Sequence, residues 1–141
     1  MPGKAKSSRK AALEFNHAII YVRKLAPALH FYSELLGFQV IEQMGESYAR
    51  FKSQSGQSTF ALHVGEAGKP LDAEGIRLYF ETKDLDKFCA ALVADGVVFK
   101  QLPKAMPWGW KHAYLNDPDG HEISLYWAGR KRYQKTPPMR R

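Results

Sequence analysis

Cys89 is the sole cysteine in 141 residues. No internal disulfide can form, and a lone thiol suits a reducing compartment such as the cytoplasm. No apolar run approaches the roughly 18 residues that a membrane span requires. Residues 1–10, MPGKAKSSRK, lack the apolar segment of a secretory signal, so export is not expected. There is no GxGxxG and no phosphate-loop lysine motif, which leaves dinucleotide and triphosphate chemistry without support. The serine in GESYARF, residues 45–51, lacks the pattern of a nucleophile elbow.

Acidic residues are missing from both ends. The chain has 21 basic and 14 acidic residues, a formal charge of +7. Residues 1–10 hold four of the basic residues and residues 130–141 hold six, while residues 11–129 hold 11 against all 14 acids. The positive charge therefore belongs to the tails, which read as solvated ends. They do not point to a specific nucleic-acid partner.

What the chain does have is enough apolar material for a core: 45% hydrophobic and 13% aromatic residues in a single-domain length. FNHAIIYV (15–22) reads as a strand, followed by a helix over 26–36 that starts near Pro27 and stops at Gly37. Strands are expected over 38–44, 48–53 and 58–64, divided by Gly45 and by SQSGQS. The second half repeats the order: a strand over 76–81, a helix over 85–94 with Asp84 or a neighbour as its cap, and strands over 97–100, 111–116 and 121–127. HAIIYVRKL (17–25) overlies RLYFETKDL (77–85) at an offset of 60, so the chain reads as an internal duplication. The expected fold class is α+β. A basic tail (1–14) precedes a domain (15–128) with modules 15–64 and 76–128 and a linker 65–75, and a second basic tail (129–141) follows.

FNHAIIYV, ALHFYSELLGF, STFALHVG and WGWKHAYLNDPDGHEISLYW together resemble the vicinal oxygen chelate family, the glyoxalase/bleomycin resistance/dioxygenase proteins. The resemblance covers about 15–128. It implies two tandem β-α-β-β-β modules forming an incomplete barrel around a cavity, in a protein that pairs as a homodimer. Many such proteins use a divalent metal to chelate neighbouring substrate oxygens; others bind hydrophobic or cationic antibiotics without one.

The resemblance places the family's usual ligand positions on His17, Arg77, Ser124 and about Ala61. A guanidinium has no lone pair for a metal, serine replaces a carboxylate poorly, and alanine supplies nothing. A shifted set of His17, His63 and Glu122 satisfies a two-histidine, one-carboxylate rule on paper. It displaces ligands along their strands by about 6–7 Å, far beyond metal tolerances. No metal or other cofactor is therefore the leading expectation.

Strand alternation assigns His17, Ile19 and Tyr21 to one face, with Arg77, Tyr79 and Glu81 as their counterparts. Thr59, Ala61 and His63 share a further face, and Glu122, Ser124 and Tyr126 another. The resemblance implies that these faces surround the cavity. Arg77 is a candidate for gripping an anionic or oxygen-rich ligand, or for an internal pair with Glu122 or Glu81. His17 and Glu122 are the catalytic candidates; His17 has the pKa range of a general base, and a pocket histidine without chemistry is the alternative. Tyr79, His63, Ser124 and Tyr126 are candidate ligand contacts. Trp108 and Trp110 read as a pocket rim, a dimer contact or core. His112 and His121 read as turn or strand-end residues, and DPDG (117–120) as a turn that places the last strand.

Three functions follow. The first is metal-independent binding of a small aromatic or amphipathic molecule, as in bleomycin-resistance-type proteins. The second is a metal-dependent lyase, isomerase or extradiol-type dioxygenase using His17 and Glu122. The third is an interaction protein working through its tails.

Overall fold

The computed structural model describes residues 12–13, 15–66 and 68–134. The two basic tails lie largely outside them. Each half builds one four-stranded sheet. In the first, β1 (His17–Val22), β2 (Gln39–Met44), β3 (Tyr48–Lys52) and β4 (Thr59–Val64) lie in the order β1-β4-β3-β2. In the second, β5 (Arg77–Glu81), β6 (Gln101–Ala105), β7 (Lys111–Asn116) and β8 (Glu122–Trp127) repeat it as β5-β8-β7-β6. The first and last strands of each module are parallel, and the other pairs antiparallel. The strands do not close into a barrel. The α+β fold of two β-α-β-β-β modules is thus the one expected.

Period-two alternation drives this arrangement. Ile20, Val22 and Leu62 turn inward in the first module; Ala113, Leu115, Ile123 and Leu125 do so in the second, all buried. The modules share one core. Phe80 is its joint, with Phe38 at 4.7 Å, Phe60 at 5.5 Å and Tyr32 at 6.4 Å between ring centroids.

The DPDG turn does more than place β8. The Tyr32 hydroxyl donates to Asp117 Oδ2 at 2.7 Å, and the Arg23 backbone N–H donates to Asp119 Oδ1 at 2.9 Å. Asp117 also receives the His121 ring at 2.7 Å and two backbone N–H groups. Burial pushes the Asp117 carboxyl upward, but its bonds from His121 and Tyr32 outweigh that and hold it below the usual range. The turn therefore clasps the first module to the second.

Several elements differ from expectation. The first helix is α-helical only over Leu25–Leu29 and continues as a π-helix over His30–Leu35. The wider turn, with Leu36 N–H bonded to the Phe31 carbonyl, lets the adjacent Phe31 and Tyr32 both enter the core. The second helix, Leu85–Ala94, has Asp84 at its N-cap without a side-chain cap bond. Residues 97–100 form no strand. Val97 N–H instead bonds the Leu92 carbonyl behind Gly96 at φ +90°, closing the helix, and the strand begins at Gln101. Pro103 is tolerated there because β6 is an edge strand with an irregular register between Gln101 and Lys104. Gly129–Tyr133, expected as tail, form a 3-10 turn tied to Glu81 through the backbone of Ala128 and Gly129.

Candidate functional site

The inward faces make the core, so the opposite faces of both sheets are free to carry chemistry. The parallel pairs set their register. His17 lies opposite Thr59, Ile19 opposite Ala61 and Tyr21 opposite His63. In the second module Arg77 lies opposite Glu122, Tyr79 opposite Ser124 and Glu81 opposite Tyr126. A half-open groove of about 1160 Å³ runs between the modules, lined by His17 and Phe60 on one side and by Arg77, Tyr79, Phe80 and Tyr126 on the other. His63 stands apart from it, packed beside Tyr21 and Tyr48 with its Nδ1 2.8 Å from the Val64 carbonyl.

Arg77 is the polar centre of the second face. Its Nε donates to Glu122 Oε2 at 2.5 Å and its Nη1 to the Tyr79 hydroxyl at 3.3 Å. Of its two expected carboxylate partners, Glu122 takes it; Glu81 instead pairs with Arg132. Lys100, which the sequence reading passed over, donates to Glu122 Oε1 at 3.0 Å. The Lys100 bond is the largest influence holding the Glu122 carboxyl below its usual range, and Arg77 adds to it. Bonds to Tyr79 and Glu122 raise Arg77 further. Glu122 thus stays ionised with a cationic donor on each oxygen.

His112 was the residue most misjudged from sequence. It is the second residue of β7, near the strand's end as expected, but it is buried among the aromatic side chains of the face. Trp110, Tyr114 and Tyr126 lie nearly parallel to its ring at 6.0, 5.5 and 5.5 Å, and Tyr79 meets it edge-on at 5.9 Å. Trp108 Nε1–H donates to Nε2 at 3.2 Å, so Nδ1 holds the ring proton and donates to Ser124 Oγ at 2.7 Å. Burial first, and the Arg77 charge second, push its pKa down, so the neutral ring persists. With the proton on Nδ1, the imidazole cannot accept the Ser124 proton, and Ser124 is fully buried. This pair is not a nucleophile. The signal for His112 and Tyr114 was present: alternation along KHAYLN sets them opposite Tyr126 and Ser124.

A family-type metal does not fit these residues. His17 Nδ1 lies 2.7 Å from Thr59 Oγ1, while Arg77 and Ser124 hold the contacts described above. Both Glu122 oxygens are engaged by cations, and the shifted set is split between two sheets. Among the described residues, no three His, Cys, Asp or Glu side chains are placed to hold a metal ion. No helix among them is long and apolar enough to cross a membrane.

Solved structures share the fold. A lactoylglutathione lyase from Agrobacterium tumefaciens is 18% identical with a TM-score of 0.69, covering 89% of this chain and 100% of its own. A glyoxalase/bleomycin resistance protein/dioxygenase from Nocardioides is 19% identical with a TM-score of 0.70, covering 89% and 91%. A superfamily member from Sphaerobacter thermophilus is 25% identical with a TM-score of 0.65, covering 82% and 98%. No curated protein sequence matches. The family model matches residues 14–125, so the chain belongs to the Glyoxalase/Bleomycin resistance protein/Dioxygenase superfamily.

Proposed function

We propose that this protein binds a small aromatic or amphipathic molecule in the groove between its modules, without a metal. One observation carries the reading: Arg77, joined to Glu122 and Tyr79, stands at a groove whose walls include Tyr79, Tyr126 and Phe80. Apolar walls with a few fixed polar groups are the usual make-up of a small-molecule site. In this reading Tyr79 and Tyr126 contact the ligand, Trp108 and Trp110 support the face through His112, and Ser124 orients His112. His17 contributes a polar wall on the opposite side. Glu122 fixes Arg77 and does not act as an acid or base.

The protein is proposed to work as a cytoplasmic homodimer. Ile19 and Tyr21, which do not line the groove, leave 42 and 52% of their surface exposed, apolar area that a second copy would cover. Native mass measurement is the check, and a monomer at working concentration refutes this part.

Tryptophan fluorescence tests the binding itself. Titration with planar aromatic and amphipathic compounds is expected to give saturable quenching that a chelator leaves unchanged. Quenching that requires an added divalent metal contradicts the reading.

A further inference from the structure

The groups around Arg77 specify what kind of aromatic molecule this groove takes. We propose that the site selects planar molecules carrying an oxyanion, received by Arg77 and Tyr79, and discriminates against cations. The proposal rests on the binding reading above and deepens it.

Hydrogen-bond supply decides the chemistry. Each carboxylate on the face already has donors: Glu122 holds Arg77 and Lys100, and Glu81 holds Arg132 and two backbone N–H groups. His112 Nε2 accepts from Trp108, and the Tyr79 oxygen accepts from Arg77. Donors are left over. A guanidinium has more N–H groups than the Nε and Nη1 contacts use, and a phenol that accepts from Arg77 keeps its own proton to donate. A ligand at this point is bound best when it brings acceptor oxygens.

Charge points the same way. Arg77 and Lys100 face one carboxylate, which leaves one positive charge in excess. Lys100 does not line the groove. Its part is to offset Glu122, so that Arg77 presents a charge and not a neutral pair. The aromatic face would otherwise suit a cation, but the Arg77 guanidinium lies 5.4 Å from the Tyr114 ring centroid and fills that role. A ligand cation would meet a second cation there.

Shape adds the demand for flatness. Tyr79 stands edge-on to Tyr126 at 81°, and both line the groove beside Arg77. A flat ring can lie along this wall of Tyr79 and Tyr126 with its oxyanion turned to the Arg77 fork, a geometry that planar guanidinium recognition favours.

The test uses three probes of one shape: 2-naphthoate, 2-naphthylmethanol and 2-naphthylmethylammonium, titrated at pH 7 into the full chain. Naphthoate is expected to bind at least about tenfold tighter than the alcohol, the scale of a charge-assisted hydrogen bond, with the ammonium weakest. Arg77→Met should abolish the preference, bringing naphthoate to the same affinity as the alcohol measured on the same variant. Lys100→Met should weaken naphthoate alone, and added salt should lower the naphthoate preference. Equal binding of naphthoate and alcohol, tighter binding of the ammonium, or naphthoate affinity untouched by Arg77→Met overturns oxyanion selection and leaves the groove as a binding site. Failure of all three probes overturns both readings. Circular dichroism and cooperative thermal unfolding like those of the parent show that the variants are folded.

Discussion

Arg77 and Glu122 stand opposite each other across β5 and β8, with Nε 2.5 Å from Oε2, in the register position where His17 and Thr59 meet across β1 and β4 at 2.7 Å. The duplicated scaffold has kept one bridge between its parallel strands and changed the chemistry of that bridge. In the first module it is a histidine–threonine contact. In the second it is an ion pair extended by Lys100 and Tyr79.

Arg77→Met is expected to cost little stability. The Arg77 side chain is 45% exposed, and pairs in such positions contribute about 0–1 kcal/mol. Chemical denaturation should show a change within that range while the preference for the oxyanion is lost. A collapse of stability would mean that Arg77 is architectural.

Tyr32→Phe removes the buried hydroxyl that joins the modules through Asp117. The expected loss is about 1–3 kcal/mol, because Asp117 keeps its other donors but gives up one strong bond. Equilibrium unfolding measures it, and an unchanged midpoint would contradict the clasp.

Acid should loosen the same clasp. The folded Asp117 carboxyl lies below its ordinary value of 3.8, so its stabilisation is present above that pH and is lost as pH falls through the folded value. Melting temperatures recorded down this range should fall less steeply in Asp117→Asn than in the parent. Identical slopes would remove Asp117 as the cause.

His112 gives a second, separate pH window. Its folded pKa lies below 6.5, so it favours folding fully above that value and progressively less as pH falls toward the folded one. Protonating Nε2 also removes the acceptor for Trp108. The indole N–H resonance of Trp108 is expected to shift as this happens and to stay constant in His112→Phe.

Cys89 should be silent in the native state. Burial first, then the nearby Asp86, push its thiol up to about 11. A thiol reagent near pH 8 is expected to label nothing until denaturant is added, and then one group per chain.

Much of this architecture was legible because it rests on local rules. Alternation separates Ile20, Ile123 and Leu125, which turn inward, from His17, Ile19, Tyr21, Glu122, Ser124 and Tyr126 on the opposite faces. The 60-residue offset between β1 and β5 exposed the duplication. Long-range choices were not legible. Tyr32 and Asp117 are 85 positions apart, and no local pattern predicts their bond. VVFK reads as a strand by its β-branched residues, whereas the strand that forms, QLPKA, carries a proline that nothing local places on an edge. Lys100 and His112 were missed for related reasons. The first sits just before a strand placed four residues too early; the second was read by its distance from the DPDG turn and not by its pairing with Tyr126.

The central claim is that this member of the superfamily binds its ligand through Arg77 and not through a metal. Elemental analysis tests it most directly, on protein purified without chelator and again after loading with Mn, Fe, Zn, Co or Ni and removing the excess. The account predicts no stoichiometric metal in any sample. One divalent ion per chain, lost in His17→Ala or Glu122→Gln, would contradict it.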